Sequence, residues 1–337
     1  MFALIACTEP AAETAAFVDP RADGPYGVGV TTIAYTDSRG KPLTIEAWYP
    51  ATVEGDPDPY EPFVFTGLAH RDAEVLDGTW PLAAFSHGYS GFRMQSFFLT
   101  EWLASHGCVV VAPDHTYNTF FDIDDDKTSQ VMLERPGDIA GSVDAALEHF
   151  DVEDRYVMMG HSFGGWTTLA VTGGVLNMEE ASAFCAVDGG FDLCDVIGEV
   201  PADAALPEPD PRAYAGVSMA PCGWYTFGEA GLSSVVDTAV MVGALDDTCE
   251  PDTEARPTWE RVSDDKALAT IPDAGHFVFS NLCDLGDLQP ECSAEGYIDT
   301  PTAQVEIKQW ATAWALRQYT GDSAYDASLS SKLMTIE

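Results

Sequence analysis

The segment Gly160-His161-Ser162-Phe163-Gly164 places a serine between two glycines. It follows a short apolar run, 155–159, that predicts a strand, and it precedes a buried-helix pattern at 165–171. At such a junction small residues allow a sharp turn that exposes the serine hydroxyl. The segment therefore predicts that Ser162 is the nucleophile of an acyl-transfer reaction. The competing interpretation is a glycine-rich turn with a bystander serine.

A serine nucleophile needs a general base, and one histidine stands alone late in the chain. His276 lies in a turn marked by Pro272 and Gly275, directly after a strand-like run, Ala267 to Ile271. In this place it can take the serine proton and return it to the leaving group. We predict His276 as the base, against the alternative of a buried structural histidine.

Three aspartates compete for the acid that orients the imidazole. The apolar run 238–243 predicts a strand, and Asp246 and Asp247 follow it in the next loop. A carboxylate there can reach the far nitrogen of the imidazole and fix its tautomer. Asp247 is the first choice and Asp246 the second. Asp188, which follows another apolar run, is the third.

Two backbone N–H groups are candidates for an oxyanion hole. One belongs to Phe163, the residue after the nucleophile, and the other should come from the loop after the third strand. The run 82–86 predicts that strand, and the loop His87 to Phe92 contains Tyr89. We therefore predict Tyr89 and Phe163 as the donors, although an ordinary turn at His87-Gly88 remains an alternative.

Four segments in combination resemble α/β-hydrolase-fold serine esterases. The resemblance is to the platelet-activating-factor acetylhydrolase and dienelactone-hydrolase-like group and to the cutinase-like polyester hydrolases, over roughly residues 25–318. The segments are Phe85-Ser86-His87-Gly88-Tyr89, Leu103-Ala104-Ser105-His106-Gly107-Cys108-Val109-Val110, Gly160-His161-Ser162-Phe163-Gly164-Gly165 and Asp247-Thr248-Cys249-Glu250-Pro251.

Carried over by position, the resemblance implies Ser162 as nucleophile, His276 as base, and the same two oxyanion donors. It also implies Asp247, through the Asp-Thr-x-x-Pro loop of the polyester hydrolases. In the vertebrate acetylhydrolases the acid instead follows the preceding strand. In this chain the segment that resembles that strand is 213–219, and the residues after it, Ala220-Pro221, include no carboxylate. This departure favours Asp247 and counts against Asp188.

The predicted fold is α/β, with a mostly parallel central sheet and helices on both faces. A hydrophobic content of 46% with 21% charged residues is typical of a globular protein, and strand patterns alternate with helical ones. Helices are expected at Ser96–His106, Asp138–Phe150 and about Thr302–Tyr319. The domain prediction is a leader and tether at 1–22 followed by one catalytic domain at 23–337.

An acidic insert at about 173–212 follows the helix predicted directly after Ser162, where hydrolases often carry cap elements. It lines the acyl pocket or forms a surface loop, and the sequence favours neither. Trp224 follows the next strand, so a substrate-binding pair of Tyr89 and Trp224 is predicted across the cleft. Such a pair can stack an aromatic acyl group or simply wall a slot for short aliphatic esters.

The net charge of −40, from 15 Lys plus Arg against 55 Asp plus Glu, limits the partners. Nucleic acid is excluded because phosphate binding needs a basic face, and an anionic membrane would repel the protein. A small-molecule or polymeric ester, a monomer and no cofactor are expected. The loop with Asp122, Asp124, Asp125 and Asp126 is more typical of a solvated acidic loop than of a calcium site, so no metal is expected.

Cysteine usage favours an oxidising compartment. Cys108 lies in an apolar strand pattern as a buried thiol, whereas Cys185–Cys194, Cys283–Cys292 and Cys222–Cys249 are hypothetical disulfides. Leu4-Ile5-Ala6-Cys7 resembles a bacterial lipoprotein cleavage box, although fewer residues precede it than a secretory signal needs.

The expected protein is therefore a secreted, outer-surface or periplasmic serine esterase of a bacterium, with a possible lipid anchor at Cys7 and no transmembrane segment. Two other functions stay open at this point. One is an amide or carbon–carbon bond hydrolase of the same fold. The other is an inactive binding module.

Overall fold

The computed structural model describes residues 17–61, 65–187, 193–263, 265–286 and 288–337. Asp188 and Cys7, both named by the sequence analysis, lie outside these residues. The described strands are β1 Gly27–Thr36, β2 Pro42–Thr52, β3 Pro59–Tyr60, β4 Phe65–Thr66, β5 Ala69–Arg71, β6 Glu74–Val75, β7 Trp80–Ser86, β8 Val109–Pro113, β9 Val152–His161, β10 Ala213–Met219, β11 Thr238–Gly243, β12 Lys266–Ile271 and β13 Thr335–Ile336. The described α-helices are α1 Phe97–Ser105, α2 Thr128–His149, α3 Phe163–Val171, α4 Met178–Val187, α5 Leu193–Ile197, α6 Arg256–Arg261 and α7 Thr300–Thr320.

One large sheet organises the described residues, in the order β13-β12-β11-β10-β9-β7-β8-β2-β1-β5. Its centre, from β8 to β12, is parallel, while β1, β2 and β13 add antiparallel pairs at the two sides. The predicted mostly parallel sheet is confirmed. Parallel strands bring their carboxyl ends to one edge, where α/β proteins bind their ligands.

Alternate residues of the central strands face different helical layers. Ala83 and Phe85 of β7 join the hydrophobic cluster that contains α1 and α7, whereas Leu82 and Ala84 join the cluster that contains α2. This period-2 alternation buries both faces of the sheet. The central strands are therefore packed on both faces where the loops of the candidate site leave them.

The helix predicted from Asp138 begins ten residues earlier, at Thr128, and contains Pro136. The sequence interpretation missed this part because Pro136 is typical of a helix boundary. The early turns matter for function, because they carry the buried Arg135 and lead to Asp138.

Three disulfides join the pairs proposed from sequence. They are Cys185–Cys194, Cys222–Cys249 and Cys283–Cys292, each with Cα atoms 5.2 or 5.3 Å apart. Cys108 is a buried free thiol, as expected. Within the described residues, no helix is long and apolar enough to cross a membrane.

Candidate active site

Ser162 lies at the turn between β9 and α3, in a backbone conformation that L residues rarely adopt. Its φ is 57° and its ψ is −119°, and such strain persists only where the surroundings enforce it. The flanking glycines are needed for close approach. A Cβ on Gly160 would lie 2.1 Å from the carbonyl oxygen of Gly164, and one on Gly164 would lie 1.8 Å from that of Ser86. The sharp turn expected from the sequence is present.

His276 follows β12 and is held by a buried carboxylate. Its Nδ1 donates to Oδ2 of Asp246 at 2.8 Å, and both side chains are nearly inaccessible to solvent. Asp246 Oδ1 accepts the backbone N–H groups of Thr248 and Cys249 at 2.9 and 2.8 Å. Because the carboxylate accepts a hydrogen bond from Nδ1–H, the proton of the neutral imidazole is on Nδ1 and the lone pair is on Nε2. This is the tautomer that a general base requires.

The structure places Asp246, the second choice from sequence, against His276, and not Asp247, the first choice. The Asp247 side chain is exposed, whereas that of its neighbour Asp246 is buried against His276. The turn after β11 decides between them: Leu245 N–H donates to Ala274 O at 2.8 Å, and Asp246 N–H donates to Gly243 O at 3.2 Å. This turn directs residue 246 inward. Counting residues after a strand cannot reveal that direction.

The loop after β7 packs directly on the turn that carries Ser162. A Cβ on Gly88 would lie 3.3 Å from the Cβ of Ser162. The Gly88 N–H is already used, because it donates to Gln95 Oε1 at 2.9 Å. Tyr89 supplies the next N–H along this loop. Phe163 is the first residue of α3, so its N–H has no partner inside the helix. Both predicted oxyanion donors therefore come from backbone next to Ser162.

Two cavities meet at Ser162 and His276. The larger has a volume of about 610 Å³, and four carboxylate residues are among its lining. The smaller has a volume of about 140 Å³ and an aromatic and aliphatic lining. Tyr89 and Phe277 also line both cavities. The acidic lining residues of the larger cavity are Asp125, Asp126, Asp195 and Glu199.

Trp224, predicted as a substrate-binding partner of Tyr89, is not among the described residues that line these two cavities. Its indole N–H donates to Thr253 O at 2.8 Å, and the guanidinium of Arg261 lies 4.0 Å from its ring. The left-handed Gly223 that precedes it, at φ 84°, turns the chain into a short 3₁₀ helix. This turn directs the ring into the core beneath the insert.

The insert contributes to the wall of the larger cavity through α5 and the residues after it. Leu193 and Val196 supply apolar surface there, and the Cys185–Cys194 disulfide ties α5 to α4. On the opposite side, Cys222 also lines this cavity. Its disulfide to Cys249 holds the loop that carries Asp246.

Two carboxylates of the acidic loop between β8 and α2 accept hydrogen bonds. Asp122 accepts the N–H groups of Tyr117 and Thr119 at 2.9 and 3.0 Å. Asp125 accepts the hydroxyl of Tyr89. These bonds fix the loop beside the larger cavity, so Asp122 closes a turn and Asp125 holds the Tyr89 ring.

Glu291 is a carboxylate near the base that the sequence analysis missed. Its Oε1 accepts the N–H of Phe277 at 2.7 Å. Burial raises the pKa of Glu291, and the nearby carboxylate of Asp246 raises it further. The residue stands next to Cys292, and the Cys283–Cys292 disulfide closes the loop around it. Glu291 therefore supports the backbone that presents His276.

A second Ser–His–Asp arrangement lies in the interior and was also missed. His115 Nε2 contacts Ser86 Oγ at 2.9 Å, and His115 Nδ1 contacts Asp138 Oδ2 at 2.9 Å. All three residues are fully buried, and burial lowers the pKa of His115 well below its usual value. A sequence signal exists, because Asp138 lies on the apolar, buried side of a helix.

Arg135 connects this interior network to the site. Its guanidinium donates to Asn118 Oδ1 at 2.7 Å, to Ser86 Oγ at 3.1 Å and to the carbonyl of His87. It also stacks 4.4 Å from the Phe163 ring. Burial lowers the pKa of Arg135 to about 9, so it remains charged at neutral pH. The Arg135 side chain thus joins the loop after β7, which carries Tyr89 and is called the oxyanion loop below, to α3.

Comparisons with known proteins bear on the fold. A family model described as chlorophyllase matches residues 72–196. Cutinase est2 of Thermobifida alba is 34% identical over 93 residues, which are 28% of this chain and 30% of that protein. The match thus spans less than a third of the relative's length.

A solved ferulic acid esterase from Streptomyces cinnamoneus superposes with a TM-score of 0.62 at 18% identity. The match covers 91% of this chain and 92% of that chain. At this identity the likeness establishes the fold. Together with the sheet order, it confirms the fold that the motif resemblance implied. The protein therefore has the α/β-hydrolase fold.

Proposed function

We propose that the protein hydrolyses carboxylic esters with Ser162 as nucleophile, His276 as general base and Asp246 as the acid that orients it. One observation carries the proposal: Ser162 and His276 line the same cavities, and Asp246 holds His276 Nδ1 at 2.8 Å. The strained turn at Ser162 adds support, because such strain concentrates at functional sites.

In the first half-reaction Ser162 Oγ attacks the ester carbonyl carbon while His276 Nε2 takes the hydroxyl proton. The negative charge develops on the carbonyl oxygen, where the N–H groups of Tyr89 and Phe163 stabilise it by about 3 kcal/mol each. The tetrahedral intermediate then collapses. The ester C–O bond breaks, and the alcohol leaves with the proton that His276 returns.

In the second half-reaction a water molecule attacks the acyl-enzyme. His276 takes one proton of this water, and the same two N–H groups stabilise the second oxyanion. Breaking the bond to Ser162 Oγ releases the carboxylic acid, and the proton returns to the serine. Asp246 stays ionised throughout and stabilises the imidazolium.

Short acyl esters are the proposed substrates, with weaker action on aromatic polyesters. The smaller cavity, at about 140 Å³, suits a short acyl chain and has an apolar lining. Exposed rings at its mouth, Tyr89 at 46% and Phe120 at 62% accessibility, offer a contact surface for a bulkier ester. The names of the similar proteins, a cutinase and a ferulic acid esterase, point to bulky or aromatic esters as the class to test.

We further propose that the protein works outside the reducing cytoplasm, as a monomer. The disulfides favour an oxidising compartment. Attachment through a lipidated Cys7 belongs to the proposal. Mass spectrometry of the amino-terminal peptide from the membrane fraction would test it, and an unmodified Cys7 there would refute the anchor.

A panel of p-nitrophenyl esters tests the function. We expect turnover of C2 to C6 acyl chains, and a loss of about 10⁶-fold in kcat for Ser162→Ala if the triad acts as a unit. Thermal unfolding of the variant should match the parent. Unchanged hydrolysis by a folded Ser162→Ala protein would refute the mechanism, and no hydrolysis of any ester by the parent would refute the activity.

A further inference from the structure

A chain of hydrogen bonds connects the three loops of the site, and two of its members, Gln95 and His161, also line the smaller cavity. Gly88 N–H donates to Gln95 Oε1 at 2.9 Å. Gln95 Nε2 lies 2.9 Å from His161 Nδ1. His161 Nε2 lies 2.9 Å from the carbonyl oxygen of His276. The chain thus runs from the oxyanion loop, through the residue before the nucleophile, to the backbone of the base.

Only one proton arrangement satisfies this chain. A backbone N–H can only donate and a backbone carbonyl can only accept. The carbonyl of His276 therefore requires a proton on His161 Nε2, which leaves Nδ1 as an acceptor. Gln95 must then present its NH₂ group to Nδ1 and its oxygen to Gly88. Both the imidazole tautomer and the amide orientation follow from the two backbone ends.

The surroundings keep this arrangement in place. His161 is buried, and its ring centroid lies 4.6 Å from that of His276. Burial and the neighbouring imidazole lower the pKa of His161 well below its usual value, so it stays neutral. A Cβ on Gly91 would lie 2.2 Å from Gln95 Oε1, so the oxyanion loop closes tightly around this amide.

We propose that Gln95 and His161 are positioning residues that set the oxyanion loop and the base loop in register with Ser162. The inference rests on the proposed function. Neither residue takes part in bond making. Gln95 fixes the peptide that precedes the Tyr89 N–H, and His161 ties the backbone of His276 to the same support. We call this chain of hydrogen bonds the relay. Without it, the Tyr89 N–H and His276 are misplaced relative to the transition state.

The pair Gln95→Glu and Gln95→Met tests the relay. A glutamate keeps the shape and the acceptor for Gly88 N–H, but it turns an acceptor towards His161 Nδ1. We expect kcat to fall by about 10²-fold with KM within about threefold, since displaced donors act mainly on the transition state. Methionine removes both bonds and should lose at least as much. A loss confined to KM, or full activity in either variant, would overturn the proposal.

The pH dependence separates the relay from simple packing. In Gln95→Glu, a proton on His161 Nδ1 restores the missing donor, so the kcat ratio to the parent should rise as pH falls. Gln95→Met has no such rescue, and its ratio should stay flat. Among the described residues, the titratable side chain that faces His161 is His276, which Asp246 holds. Parallel pH profiles of kcat in Gln95→Glu and the parent would overturn the proposal.

Gln304→Glu is the matched control. Gln304 is a buried amide that donates to the carbonyl of Ser280 at 2.9 Å, away from Gly88 and His161. The Gln304→Glu variant loses a comparable buried donor. It should therefore be less stable than the parent, but its kcat ratio to the parent should not rise as pH falls. A drop in kcat as large as that of Gln95→Glu, with the same pH dependence, would show that any buried amide has this effect.

A spectroscopic measurement keeps the relay and the activity distinguishable. The ¹⁵N shifts of the His161 ring should report the Nε2–H tautomer in the parent and its loss in Gln95→Glu at neutral pH. An Nδ1–H tautomer in the parent would overturn the relay even if ester hydrolysis is normal. Absent Ser162-dependent hydrolysis would refute the proposed function instead, whatever the tautomer.

Discussion

Among the described residues, two sets of serine, histidine and aspartate each contain a histidine–aspartate contact, and they differ in solvent access. His276 contacts Asp246 at 2.8 Å, and His115 contacts Asp138 at 2.9 Å. Ser162 lies in a strained turn at two cavities. The other serine, Ser86, is the last residue of a strand and is fully buried.

The polar groups of the interior set also have charged partners already. Arg39 and Lys41 both form ion pairs with Asp138, and Arg135 donates to Ser86 Oγ. In contrast, Asp246 accepts only neutral backbone donors and His276 among the described residues. A histidine–aspartate bond therefore does not identify a catalytic site. Access, strain at the serine and available oxyanion donors make the difference.

The largest expected contrast is between the two aspartates. Asp246→Asn should lower kcat by about 10⁴-fold with little change in folding, because the imidazole then holds the wrong tautomer. Asp247→Asn, one residue away and exposed, should stay within about threefold of the parent. Kinetics on p-nitrophenyl butyrate measures both. A greater loss in Asp247→Asn would reverse the assignment made from the geometry.

In the interior set the same change should affect stability instead. Asp138→Asn removes the buried partner of two cations and of His115, which should lower the free energy of unfolding by about 3 to 5 kcal/mol. The folded fraction should keep kcat within about tenfold of the parent. Chemical denaturation measures the first quantity, and kinetics at low temperature the second. Unchanged stability with a 10⁴-fold loss of kcat would make this set catalytic.

Ser86→Ala should have a smaller effect. Removing Oγ leaves hydrogen-bonding groups of His115 and Arg135 without a partner, at a cost of about 1 to 3 kcal/mol in unfolding free energy. Ester hydrolysis should stay within about tenfold of the parent. Ser86→Thr, which keeps the hydroxyl, is the control for the lost bond. Equal stability of Ser86→Ala and the parent would show that the interior network contributes little.

The smallest effect per residue is a pH dependence of stability. Burial lowers the pKa values of His87, His115 and His161 well below the usual value. The unfolded chain takes up these protons as pH falls below about 6.5, while the folded protein does not. Each histidine therefore stabilises the folded state above that pH, and the contribution is lost on acidification.

At pH 5.5 the loss should be about 1 kcal/mol for each histidine relative to pH 7.5. Urea denaturation at both pH values measures it. His115→Gln, which removes one titrating group, should make the pH dependence shallower by about one proton. A variant with the same slope as the parent would show that His115 is protonated in the folded state.

Much of the site could be predicted from sequence because local rules determine it. The elbow depends on small residues at a strand–helix junction, and His276 stood alone in the only suitable turn. The three cysteine pairs were inferred from short loops and neighbouring strand ends. The sheet followed from alternating strand and helix patterns. These features depend on neighbours in the chain or on strand order, which the sequence displays directly.

The errors concern side-chain direction and long-range packing. Asp246 and Asp247 both follow the same strand, and only the turn formed with Ala274 selects between them. Trp224 faces the core because Gly223 turns the chain first. The bonds of Gln95 and of Arg135 join segments far apart in sequence. No local pattern reports such contacts, so their roles became visible only in the fold.

Covalent labelling with a fluorophosphonate tests whether Ser162 is the nucleophile. Attack by Ser162 Oγ on phosphorus expels fluoride and leaves a stable phosphonate ester on the serine. The account predicts one label per molecule, located by mass spectrometry on Ser162 and lost in Ser162→Ala, with Ser86 unlabelled. Stoichiometric labelling of another residue, or the same rate of labelling in Ser162→Ala, would contradict it.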